Sequence, residues 1–102
     1  MSITPTIITI KQIEAWFLAD DQAMKNLLSD QNFLFDYPEV VENPFQEIRR
    51  LRYEKIGRGI PTKVILAKQM ISKFGFSIQR AAEHPNCSSA KYFLQKITEF
   101  AS

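Results

Sequence analysis

Hydrophobic positions along the chain change period, and each change predicts an element boundary. Thr4 to Lys11, TPTIITIK, is β-branched at six of eight positions, and Pro5 suits only a strand start or edge. Adjacent Ile7 and Ile8 break the alternation, which predicts a strand buried on both faces. Its partner is either Asn32 to Tyr37, NFLFDY, or a strand of another chain. From Ile13 to Leu28 the period is helical, with Ile13, Trp16 and Phe17 on one face. Asp20 is a good N-cap, so a break is expected there, with Ala23, Met24, Leu27 and Leu28 on a second helix.

Gln31 to Asn43 reads as a loop, with two prolines in and just after it and several acids. Asn43 before Pro44, with Gln46 three on, is a helix start. That helix is expected to turn Phe45, Ile48 and Leu51 inward and Arg49, Arg50 and Arg52 largely outward. Lys55 to Pro61, KIGRGIP, is a hinge-like loop. Thr62 to Phe74 is amphipathic, with Val64, Ala67, Ile71 and Phe74 at helical spacing and Gly75 as its stop. A short helix from Ser77 to about Glu83 ends before Pro85. A last helix from Ser88 to about Phe100 is expected to bury Phe93, Ile97 and Phe100.

A length of 102 residues bounds this to one domain, 1–102, with a single core. The only cysteine, Cys87, forms no internal disulfide, and one cysteine with one histidine, His84, falls short of a zinc ligand set. MSITPTIITIKQ lacks the basic and long apolar regions of a signal peptide, and no apolar run reaches about 18 residues. The expectation is a cytoplasmic protein with no membrane association. Charge is lopsided. Residues 1–47 hold eight acids and two lysines, whereas residues 48–102 hold eleven basic residues and three acids, giving −6 and +8. Two meanings are open: an acidic, metal-binding side beside a phosphate-binding side, or two halves that pack and neutralise each other.

Three groups of residues carry candidate chemistry. Glu14, near the end of a buried strand, stands where α/β sheets place ligands, and magnesium takes one or two carboxylates with water and phosphate oxygens. Asp20 has a sufficient role as a cap. RRLRYEKIGRGIPTK holds Arg49, Arg50, Arg52, Lys55, Arg58 and Lys63, which suit nucleic-acid phosphates, with Tyr53 available to stack on a base. The same run also reads as a solvated helix face and a turn, and GRG is not a phosphate-loop motif. His84 and Cys87 in EHPNCSS have no orienting third group, so they read as loop residues.

QIEAWFLADDQAM, PEVVENPFQEI, YEKIGRGI and NCSSAKYFLQKI come in an order that resembles an uncharacterised bacterial family, domain of unknown function 4276. That family is Toprim-like, similar to the metal-dependent catalytic domain of topoisomerases, primases and certain defence nucleases. The resemblance runs from about Ile7 to Ile97 and covers the C-terminal half of a typical member. It implies magnesium chemistry on phosphodiesters and an ATPase partner. Two departures stand out: Gln12 replaces the first Glu of the family's E-x-E-A, and Asp21 replaces a usual Pro. The E-G-x-T-E and D-x-D strands of the family have no counterpart here. Glu14 therefore resembles one remnant of a metal site.

The expected fold is mostly α with one or two N-terminal β-strands, an α+β domain like half of a Toprim domain. The expected function is a non-catalytic interaction or nucleic-acid-binding module, with no cofactor in isolation. The alternative is half of a magnesium-dependent nuclease of a bacterial defence system, completed by another chain. The unpaired strand implies a homodimer or a chain that supplies the missing strands.

Overall fold

A computed structural model describes residues 9–101. Among them are six helices and no strand: α1 (Ile10–Ala19), α2 (Asp21–Leu28), α3 (Pro44–Ile56), α4 (Lys63–Ser72), α5 (Ile78–Glu83) and α6 (Ser88–Ala101). The domain is mostly helical, as expected; the strand expectations are corrected where they can be seen. Ile10 and Lys11 belong to α1, while residues 4–8 of the expected strand lie outside the described residues. Asn32 to Tyr37 forms turns and irregular chain instead of a second strand.

The helix starts early because TIKQ is a capping box. Thr9 Oγ1 accepts from the Gln12 amide at 3.1 Å, and Gln12 Oε1 accepts from the Thr9 amide at 2.8 Å. Two amides that a helix start would leave unpaired are thereby satisfied, which outweighs the β preference of the neighbouring isoleucines. Gln12 thus has a local task in its own helix.

α1 is the central element. Every residue from Glu14 to Ala19 is buried, because its two sides face two apolar clusters. Phe17 and Leu18 join the larger one, with Met24, Leu27, Ile48 and Leu66. Trp16 and Ala19 join the smaller one, with Ala81, Cys87 and Ala90. Ile13 and Phe76 touch both. The Trp16 ring lies 5.1 Å from Phe93, and its Nε1 donates to Ser89 Oγ at 2.8 Å, fastening α6 to α1.

Asp20 ends α1, caps α2 and ties both to α5. Its wholly buried carboxylate accepts from the amides of Ala23 (3.2 Å) and Ser77 (2.8 Å), and from Arg80 Nε (2.8 Å) and one terminal guanidinium nitrogen (3.1 Å). Such a charge is tolerable in a core only when paired and fully hydrogen-bonded. α3 begins at the Asn43 cap with Pro44 in its first turn and ends at Gly57, whose φ of 81° is the left-handed conformation of a helix stop.

Two expected faces are corrected. α4 buries Leu66 and Met70, while Val64 and Ile71 are each 66% exposed. Both sides of this helix are apolar, so spacing alone did not choose between them. On α6, Phe93 is half-buried, but Ile97 and Phe100 are exposed, since α6 packs chiefly on short α5 and outruns it.

Candidate functional site

Glu14 lies in the buried stretch of α1 and meets the start of α4. It is 3% exposed, and its Oε1 lies 3.7 Å from Lys63 Nζ, in the first turn of α4. Its Oε2 is buried without a hydrogen-bond partner among the described residues. Burial pushes the carboxyl above its ordinary range, and the Lys63 ammonium offsets only part of that rise. Lys63 also sits 5.7 Å from the centre of the Phe45 ring, and the Arg49 guanidinium sits 5.5 Å from it. Lys63 thus links Glu14 to the Phe45 ring that Arg49 also covers, joining residues that the sequence assigns to two different tasks.

That environment does not fit magnesium within this chain. A magnesium ion at Glu14 would have to displace the Lys63 ammonium and shed water for a single carboxylate. Among the described residues no three His, Cys, Asp or Glu side chains converge as a metal set.

The remaining basic residues are dispersed around α3. Positions 49, 50, 52 and 55 spread over most of the circumference at about 100° per residue. Arg50 is held by Glu47, to which Nε donates at 2.8 Å, and by Glu54 at 2.7 Å. Lys55 pairs with Asp30 at 3.0 Å. Arg52 lies 5.7 Å from the Phe74 ring centre and donates to the Leu27 carbonyl at 3.2 Å. Burial, with the nearby charge of Arg58, holds the Arg52 guanidinium below its usual value. Arg58 stands exposed in the loop after α3, and Tyr53 is exposed.

His84 and Cys87 are structural. The Asn86 amide donates to His84 Nδ1 at 3.0 Å, which leaves Nε2 to donate to the Phe35 carbonyl at 2.5 Å. Cys87 is buried, and burial pushes its thiol up, away from a reactive thiolate.

One polar residue escapes sequence reasoning altogether. Glu39, in the long loop, accepts from the amides of Ser88 (2.6 Å) and Ser89 (3.2 Å) at the start of α6. Burial raises this carboxyl, but the hydrogen bonds from Ser88 and Ser89 outweigh it and hold it below its ordinary value. The only local signal is the Ser88–Ser89 pair at a helix start, and the distance to residue 39 hides the rest. No family model, curated protein or solved structure matches the chain.

Proposed function

We propose that the chain is a non-catalytic interaction module that pairs with a second copy of itself through α6. The carrying observation is an apolar stripe that outlasts its cover. Ala90, Phe93, Leu94, Ile97 and Phe100 recur at spacings of three and four residues, which puts them on one helical face. Ala90 is buried and Phe93 and Leu94 are half-buried, but Ile97 is exposed and Phe100 is 92% exposed. A helix laid antiparallel on its own copy about Ile97 brings the same stripe to both sides, the self-complementary geometry of a two-fold interface. Burying two such stripes supplies apolar area that neither copy covers alone.

Nucleic-acid binding is the lesser reading, because Arg50, Lys55 and Lys63 of the basic run are already in ion pairs. The Toprim-like alternative, half of a magnesium-dependent nuclease with an ATPase partner, depends on carboxylates from another chain and on freeing Glu14 from Lys63.

Light scattering tests the pairing. The wild-type chain is expected to be dimeric at about 100 μM, and Ile97→Glu with Phe100→Glu is expected to be a folded monomer, since both positions are exposed. A wild-type monomer at that concentration, or a dimer that survives both substitutions, rejects the proposal.

A further inference from the structure

A cavity of about 400 Å³ lies between the start of α2, residues 34–36 and the end of α5. Its walls are tied together. Asn86 Nδ2 donates to the Asp36 carbonyl at 2.7 Å, His84 holds the Phe35 carbonyl, and Arg80 is clamped between Asp20 and the Gly75 carbonyl. The volume falls within the range of small-molecule sites. We infer that this cavity binds a small organic cation, a primary alkylammonium group that donates to the Asp21 carboxylate.

Three observations carry this. First, Asp21 Oδ1 is buried with no hydrogen-bond partner among the described residues, although Asp21 lines the cavity. One oxygen of this half-buried carboxylate lacks a donor, which is costly, and a charge-assisted N–H bond to the carboxylate is the direct remedy. Burial also pushes the Asp21 carboxyl up, although nearby positive charge opposes that rise.

Second, the charge inventory favours a cation. Asp21, Asp36 and Glu83 line the cavity against Lys25 and Arg80, and Arg80 is already committed to Asp20. His84 has both ring nitrogens engaged, so it offers the ligand neither a base nor a donor.

Third, Leu34 and Phe35 give the wall an apolar part where an alkyl chain can lie. A metal ion fits less well, because no three ligating side chains converge among the described residues. A monovalent ammonium needs one carboxylate and room for its chain. The ammonium can belong to a free amine or to a lysine side chain; both present the same group.

Titration of the full chain, followed by amide chemical shifts, tests the site. The probes are 1,4-diaminobutane and Nα-acetyl-lysine amide, with 1,4-butanediol and magnesium chloride as controls at matched ionic strength. Saturable shifts confined to residues 21–25, 34–36 and 83–86 are expected below about 1 mM with an amine. Tighter binding of the diamine indicates a free amine as ligand, and tighter binding of the lysine amide indicates a protein side chain. Asp21→Asn is expected to weaken binding at least about tenfold. Leu34 is 70% exposed, so Leu34→Lys should fold normally and place a tethered ammonium at the cavity, weakening amine binding similarly. That variant keeps the test decisive if Asp21→Asn disturbs α2. Absence of saturable shifts up to about 10 mM amine, equal shifts with the diol or magnesium, or full affinity in Leu34→Lys overturns the inference.

Discussion

A glutamate on the buried side of a central helix is a liability unless something compensates it, and at Glu14 the compensation is partial. One oxygen lies 3.7 Å from Lys63 and the other has no partner among the described residues. Its carboxyl is raised above the ordinary value of 4.5, first by burial and against the pull of Lys63. The sign follows from linkage. With the folded-state value above the unfolded one, the folded chain favours the protonated form. Whatever that form contributes is complete below about pH 4.5 and is lost as pH rises through the folded value. Glu14→Gln keeps the shape without the charge. It is expected to stabilise the chain by about 1 kcal/mol near pH 8 and to make little difference near pH 4. Urea unfolding at a series of pH values checks this. A variant less stable than wild type at pH 8, or a difference that does not grow with pH, contradicts it. Glu14 was legible in the sequence as an unusual acid in an apolar stretch. The identity of its neighbour was not, because Lys63 is 49 positions away along the chain.

Among the elements, the start of α1 separates two physical accounts of the same residues. β-branched composition points to a strand through Thr9 and Ile10, whereas the Thr9–Gln12 capping box makes them a helix start. Thr9→Val distinguishes them, because valine keeps the branch and loses the oxygen. Loss of the cap is expected to cost about 1 kcal/mol, read as a lower midpoint of denaturation; a strand would leave valine neutral or better. An unchanged or raised midpoint therefore restores the strand. Most of the other boundaries were visible because local chemistry sets them. Asp20 and Asn43 cap from within one turn, and Pro44 is compatible only with the first turn. Which face of α4 is buried was not visible. Val64 and Ile71 compete with Leu66 and Met70 on equal hydrophobic terms, and the decision comes from Phe17, Leu18 and Ile48, which are distant in sequence and lie in the cluster that receives Leu66.

Across the whole molecule, the acidic and basic halves meet. Asp20 with Arg80, Asp30 with Lys55, and Glu14 with Lys63 each join a residue of 1–47 to one of 48–102. The lopsided charge therefore acts largely between the halves, holding α1, α2 and the residues after them against α3, α4 and α5. Glu47 and Glu54 hold Arg50, the Phe74 ring and the Leu27 carbonyl hold Arg52, and Arg49 lies against Phe45 while Arg58 stands in an exposed loop. This sets the strength of any contact with nucleic acid. Each phosphate neutralised contributes about −0.9 to the slope of log affinity against log salt for duplex DNA, and about −0.7 for a single strand. Two available arginines predict weak, sequence-independent binding with a duplex slope of about −2, lost when Arg49 and Arg58 are both changed to Glu. A basic surface built from all six residues would give a slope of about −5. Fluorescence anisotropy with labelled duplex and single strands from 25 to 200 mM salt (roughly the range over which such slopes are read) separates the two. A slope near −5, with the Arg49→Glu, Arg58→Glu variant still binding, would mean that the internal ion pairs open to receive phosphate. The charge asymmetry would then serve a ligand ahead of the fold.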